Sequence, residues 1–142
     1  MREIFDRRNQ YYCNDTSADN QLWYLHPTRA VGSTQLYEFV NAKGGLCLDL
    51  PNYGSDPAGT HLSVYYCNSS PKDDNQEWEL VDLTGNGDYL VVNFRDNLCL
   101  DVSGWASDNS DQALDVPLTV YPCYNGSWAN GGYDDHVWSL LS

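Results

Sequence analysis

The sequence predicts an all-β fold built from one hairpin-bearing unit used three times. Two observations carry this. The first is an internal repeat: Tyr11-Tyr12-Cys13-Asn14 with Asp19-Asn20-Gln21-Leu22-Trp23, then Tyr65-Tyr66-Cys67-Asn68 with Asp74-Asn75-Gln76-Glu77-Trp78, then Tyr121-Pro122-Cys123 with Asp134-Asp135-His136-Val137-Trp138. These cysteines recur at intervals of 54 and 56 residues and the tryptophans at 55 and 60. A near-constant period of this length marks a supersecondary unit repeated along the chain. The second is the short alternating apolar runs, rich in aromatic and β-branched residues and punctuated by Gly, Asn, Asp and Pro, with no helical periodicity over three turns.

Repeat one, residues 1–34, contributes only the end of the pattern. Repeat two, 35–86, is complete, with strands expected at Leu36–Val40, Leu46–Leu50, Leu62–Tyr66 and Trp78–Val81. Repeat three, 87–142, repeats these at Tyr89–Asn93, Leu98–Val102, Leu118–Tyr121 and Val137–Leu141. The second strands share a block, Gly45-Leu46-Cys47-Leu48-Asp49-Leu50 beside Asn97-Leu98-Cys99-Leu100-Asp101-Val102. The likeness runs into the following loop, where Tyr53-Gly54-Ser55-Asp56 parallels Trp105-Ala106-Ser107-Asp108. All 142 residues are expected to form one domain, since a second core has no room.

Cys47 and Cys67, and Cys99 and Cys123, stand at matching places in repeats two and three, so each pair is expected to form a disulfide stapling its own hairpin, the alternative being buried free thiols. Disulfides would imply an oxidising compartment and a secreted protein. Counting back the same distance from Cys13 passes Met1, so the first repeat is expected to lack its N-terminal hairpin. An upstream domain or a second chain would then complete it.

Twenty acidic against seven basic residues give a formal charge of −13. This disfavours phosphate backbones and anionic lipid surfaces, so neither nucleic acid nor membrane is an expected partner. No apolar run reaches the roughly 18 residues of a membrane span. The charged start, Met1 to Gln10, lacks the apolar stretch of a secretory signal.

The Cys-Leu-Asp block, an aromatic two residues before a second Cys, and Asn-Gln-x-Trp together resemble the ricin-B-type lectin family with its Gln-x-Trp repeats. The resemblance covers the whole chain apart from the first hairpin. It implies a β-trefoil, a six-stranded barrel capped by three hairpins, and a function in binding glycans. By resemblance, Asp49 accepts from adjacent sugar hydroxyls, Tyr65 is the stacking platform, Asn75 adds an amide contact, Gln76 orients Asp49 from behind and Trp78 belongs to the core. The chemistry fits, since vicinal hydroxyls suit a carboxylate and an amide while the C–H face of a sugar suits a ring.

Repeat three keeps Asp101 and Tyr121 but has Asp135 and His136 where Asn75 and Gln76 stand. A second carboxylate cannot donate and repels the first. That site would prefer another sugar, bind weakly or respond to pH through His136. Repeat one retains Tyr11, Asn20 and Gln21 without the aspartate. Sequons at Asn14, Asn68 and Asn125 follow the second cysteine of each repeat, where Asn also suits a turn.

Sites of other kinds are weakly marked. There is no nucleophile triad, phosphate loop or zinc spacing, and Asp108, Asn109 and Asp111 suggest calcium only faintly. No enzyme, metal or cofactor is expected in this chain. The reading from another class is a protein-binding or inhibitory β-trefoil whose sugar sites have decayed.

Overall fold

The computed structural model describes residues 20–82, 85, 87–104, 110–123 and 136–140. Expectations for Tyr11, Cys13, Asn14, Trp105, Asp108, Asn109, Asn125 and Asp135 lie outside these residues. Nine strands are described: β1 Trp23–Val31, β2 Thr34–Asn41, β3 Cys47–Asp49, β4 Ser63–Tyr65, β5 Trp78–Asp82, β6 Asp88–Asn93, β7 Cys99–Val102, β8 Leu118–Tyr121 and β9 Val137–Ser139. Two single-turn 3-10 segments, Pro71–Asp73 and Ser110–Gln112, are the helical content among the described residues.

All nine strands belong to one sheet, ordered β4-β3-β2-β5-β6-β7-β8, with β1 added on β2 and β9 on β6. Every pairing is antiparallel, and the repeat is visible in the register. Val40 faces Cys47 as Val92 faces Cys99, and Tyr37 faces Trp78 as Tyr89 faces Trp138. Between repeats, Trp23 faces Asn41 as Trp78 faces Asn93.

The turns that launch β3 and β7 are built alike. Asn41 Oδ1 accepts from the amides of Lys43 and Gly44, and Asn93 Oδ1 from those of Arg95 and Asp96. Each is an Asx turn, the local bond that makes Asn a turn former. Both turns then need a left-handed residue, which Gly45 (φ 69°) and Asn97 (φ 60°) supply as residue types that tolerate it. The other end of each amide ties repeats together: Asn41 Nδ2 donates to Asn20 O and Asn93 Nδ2 to Asn75 O.

Inside the curl of the sheet lie Phe39, Leu48, Leu50, Leu62, Trp78, Val91, Leu100, Val102, Leu118, Val120 and Trp138. Trp78 Nε1 donates to Leu48 O and Trp138 Nε1 to Leu100 O, so each buried indole keeps a hydrogen bond. Disulfides Cys47–Cys67 and Cys99–Cys123 close the two hairpins.

β1 is the element the sequence pattern did not mark. Its residues, Trp-Tyr-Leu-His-Pro-Thr-Arg-Ala-Val, do not alternate and contain Pro27. Its register with β2 shifts between Pro27 and Ala30, where a bulge accommodates the ring without a ladder hydrogen bond.

Candidate functional site

The second and third strands of each complete repeat form a hairpin with one chemically loaded face. In repeat two, Cys47 lies opposite Tyr65 and Asp49 opposite Ser63. Side chains two apart on a strand share a face, so Asp49, Ser63 and Tyr65 stand together, the carboxylate diagonal to the ring. In repeat three, Cys99 lies opposite Tyr121 and Asp101 opposite Thr119, giving the same trio of carboxylate, hydroxyl and phenol ring.

Asp49 is 7% exposed and both its oxygens are engaged. Oδ2 accepts from Ser63 Oγ at 2.9 Å and Oδ1 from Gln76 Nε2 at 3.1 Å. A carboxylate has about four lone-pair positions, so capacity for further donors remains. Burial raises the Asp49 pKa above the usual carboxylate range, and the bonds from Gln76 and Ser63 oppose that shift.

Gln76 is itself wholly buried and saturated. Its Nε2 also donates to Tyr66 O at 3.0 Å while Oε1 accepts from the Asn68 amide at 2.9 Å, so one amide fixes Asp49, the end of β4 and the disulfide-bearing turn. Asn75, expected from sequence to offer its amide outward, has no exposed surface. Its Oδ1 accepts from Leu50 N, and its Nδ2 lies within bonding distance of Pro51 O, Asn52 O, Gly54 O and Asp56 Oδ2. The amide therefore gathers the loop after β3 onto the start of β5, and that loop carries the exposed ring of Tyr53.

In repeat three, His136 takes the place of Gln76 with a different chemistry. Nε2 lies 3.0 Å from Pro122 O, the counterpart of Tyr66 O, and Nδ1 lies 2.8 Å from Asp101 Oδ1. The second contact is an ion-pair approach and not an aligned hydrogen bond, and Asp101 Oδ1 has no other partner. Thr119 Oγ1 donates to Asp101 Oδ2 at 3.3 Å. An imidazole facing an acceptor at each nitrogen satisfies both only when both nitrogens carry a proton.

The rings are presented outward. Tyr65 is 60% and Tyr121 51% exposed, and the Tyr66 ring packs edge-on against Tyr65. An exposed ring beside a nearly buried carboxylate offers an apolar face and a hydrogen-bond acceptor side by side.

Ser63 and Thr119 were not singled out from sequence. The signal was present, because Ser63-Val64-Tyr65 and Thr119-Val120-Tyr121 share a pattern, but the register was needed to show that the hydroxyls face the aspartates. A metal site is not supported at the one cluster of ligand-type side chains among the described residues, Glu38, Cys47 and Cys67, because both cysteines are in a disulfide. Among the described residues, no helix is long and apolar enough to cross a membrane.

Comparisons with known proteins agree with this architecture. Among solved structures, ThreeFoil, a designed threefold-symmetric protein, is similar with a TM-score of 0.71 and 25% identity, over 99% of this chain and 89% of that one. An exo-β-1,3-galactanase from Clostridium thermocellum, 1,3Gal43A, is similar with a TM-score of 0.63 and 20% identity. That match covers 98% of this chain but 26% of the galactanase, so the chain spans about a quarter of the enzyme's length. No curated protein matches the sequence. The fold is an all-β β-trefoil. The family description "ricin-type beta-trefoil lectin domain-like" matches residues 8–116, more than half of the sequence, and the chain belongs to that family.

Proposed function

We propose that the chain is a non-catalytic carbohydrate-binding module, a single domain over residues 1–142, that holds glycans at two shallow sites. The observation that carries this reading is the duplicated trio: Asp49, Ser63 and Tyr65 on one hairpin, Asp101, Thr119 and Tyr121 on the other, each in the same register. In each site the aspartate accepts from vicinal hydroxyls and the tyrosine stacks on the C–H face of the ring. Gln76 and His136 hold the carboxylates in place from behind. Asn75 serves the first site by holding the Tyr53 loop, and Asp135, at the same position of the repeat in the sequence, is expected to supply an acceptor for the other.

Family membership supports sugar binding as the general activity. The galactanase likeness is one of fold, and its printed activity suggests polysaccharide as a ligand class worth testing first. Two disulfides fit a secreted protein, in which the module would serve as an accessory to a larger polypeptide.

A glycan array comparing the chain with Asp49→Ala and Asp101→Ala tests the proposal. Individual sites of this shallow kind bind with dissociation constants on the order of millimolar, about 4 kcal/mol. Each substitution is expected to weaken binding and the double variant to abolish it. Absence of any glycan signal from the unsubstituted chain would overturn the reading in favour of a protein-binding β-trefoil.

A further inference from the structure

The stretch ahead of β4 carries the second repeat onto the third. Pro57 O accepts from Thr60 N at 3.2 Å, closing a turn whose third residue, Gly59, has φ 87°, a backbone conformation that glycine adopts without strain. From this turn the chain runs antiparallel to β8. Gly59 N donates to Val120 O at 2.7 Å, Val120 N to Thr60 O at 3.1 Å and Leu62 N to Leu118 O at 3.0 Å, so that His61 is bridged to Thr119. Because these bonds flank the pair, His61 and Thr119 form the close kind of antiparallel pair, with Cα atoms about 4.5 Å apart and side chains on one face.

That face is the one on which the second aspartate site lies. Thr119 has His61 opposite it on one side and Asp101 on the other, and its Oγ1 donates to Asp101 Oδ2. His61, Thr119 and Asp101 therefore make one row across three strands, with Tyr121 two residues along β8 on the same face. Leu62, next in the chain, is buried in the core at 1% exposure, while His61 is exposed, so strand alternation turns the imidazole outward. Among the described residues its ring has no hydrogen bond or ion pair. The fold does not call for an imidazole at this point. In repeat three the same position, two before the hydroxyl residue, holds Pro117, whose carbonyl accepts from Ser103 N.

The position of the ring decides what it can reach. Two strand spacings separate His61 from Asp101, roughly 9–10 Å, which is more than the width of one pyranose ring. A sugar unit held by Asp101 and stacked on Tyr121 leaves His61 free for the unit next to it. The way is open, since a Cβ built on Gly59, two residues before His61, would meet nothing within 4 Å. The chemistry is complementary as well: Asp101 when ionised only accepts, whereas an imidazole always carries at least one N–H donor.

We infer that His61, supplied by the second repeat, is a specificity-determining residue of the second site. Its ring N–H donates to a hydroxyl or ring oxygen of the sugar unit that follows the one held by Asp101 and Tyr121. The site then spans two repeats and reads a glycan of at least two units. This role rests on the glycan-binding reading proposed above.

The test uses an Asp49→Ala background, so that the second site alone reports. Galactose, glucose, mannose and xylose, and a β-linked disaccharide of each, are titrated into the ¹³C-labelled chain while the imidazole C–H signals are followed, with His61→Gln assigning those of His61. Disaccharide binding is expected to shift the His61 signals more than monosaccharide binding does. His61→Ala is expected to lower the ratio of disaccharide to monosaccharide affinity about fivefold, the worth of one hydrogen bond, while His61→Gln keeps a donor and holds the ratio within about twofold.

An unchanged ratio in His61→Ala together with unmoved His61 signals would overturn this role, and the glycan reading would still stand wherever Asp101→Ala abolishes binding. Complete loss of binding on Asp49→Ala would overturn it too, because the second site would then hold no sugar. Failure of the unsubstituted chain to bind any of the probes would remove the glycan reading itself, and the role of His61 with it.

Discussion

Asp49 ties stability to pH and, on the proposed reading, ties glycan binding to pH with the opposite sign. Burial raises its pKa, as it does for Glu38, Asp56 and Asp96. A carboxyl with a raised folded pKa favours the neutral form in the fold, so its contribution is present at low pH and lost as pH rises through the folded value. Lowering pH from about 7 to about 4, the ordinary carboxylate value, is therefore expected to raise Tm in a thermal melt as the folded value is passed. Glycan binding at the first site should weaken over the same interval, because a protonated carboxyl offers fewer acceptor positions; calorimetric titration at the two pH values checks this. His136 makes the second residue-scale prediction. His136→Gln reproduces the Gln76 arrangement and should hold stability to within about 1 kcal/mol, while His136→Ala strips Asp101 and Pro122 O of a buried partner at about 1–3 kcal/mol in urea unfolding.

The hairpin is the element that assembles each site, and its geometry is set by the turn ahead of it. Asn93 spends its carbonyl oxygen on two turn amides and its amide on Asn75 O, all in the buried interior. Asn93→Ala is expected to cost about 2–4 kcal/mol in urea unfolding, since it leaves several buried backbone groups unpaired. It should also weaken both glycan sites, because Asn75 holds the first and β7 carries the second. Reducing the Cys47–Cys67 bond frees a loop whose ends are 20 residues apart, an effect of about 3 kcal/mol in unfolding free energy if chain entropy dominates. The strands were legible from sequence to within a residue or two, because alternation and β-branching report the pleat directly. β1 was missed for the same reason, as Pro27 and the bulge remove the alternation.

On the proposed reading the whole molecule presents two like sites on one sheet, an arrangement that would turn weak binding into avidity. A polysaccharide that reaches both sites should bind on the order of 10²-fold more tightly than a short oligosaccharide, the second contact occurring at high effective concentration. Asp49→Ala or Asp101→Ala alone should remove most of that gain while leaving oligosaccharide binding at the other site intact; affinity electrophoresis against both ligand lengths separates the outcomes. The net charge of −13 gives anionic glycans no long-range attraction, so neutral polysaccharides are expected to bind better at low salt.

The sequence by itself determined the repeat, the strands other than β1, the disulfide partners and the residue types gathered in each repeat, because these follow from spacing and side-chain period along the chain. It marked Asp49, Tyr65, Asp101 and Tyr121, yet it could not show that Ser63 and Thr119 face the aspartates, since that depends on register between strands. Nor could it show that Asn75 turns inward to hold a loop, which depends on where five acceptors and donors converge in space. Pairing across the sheet and burial are properties of the folded chain, and they decided which polar groups remain available to a ligand and left the Trp23 indole without an acceptor.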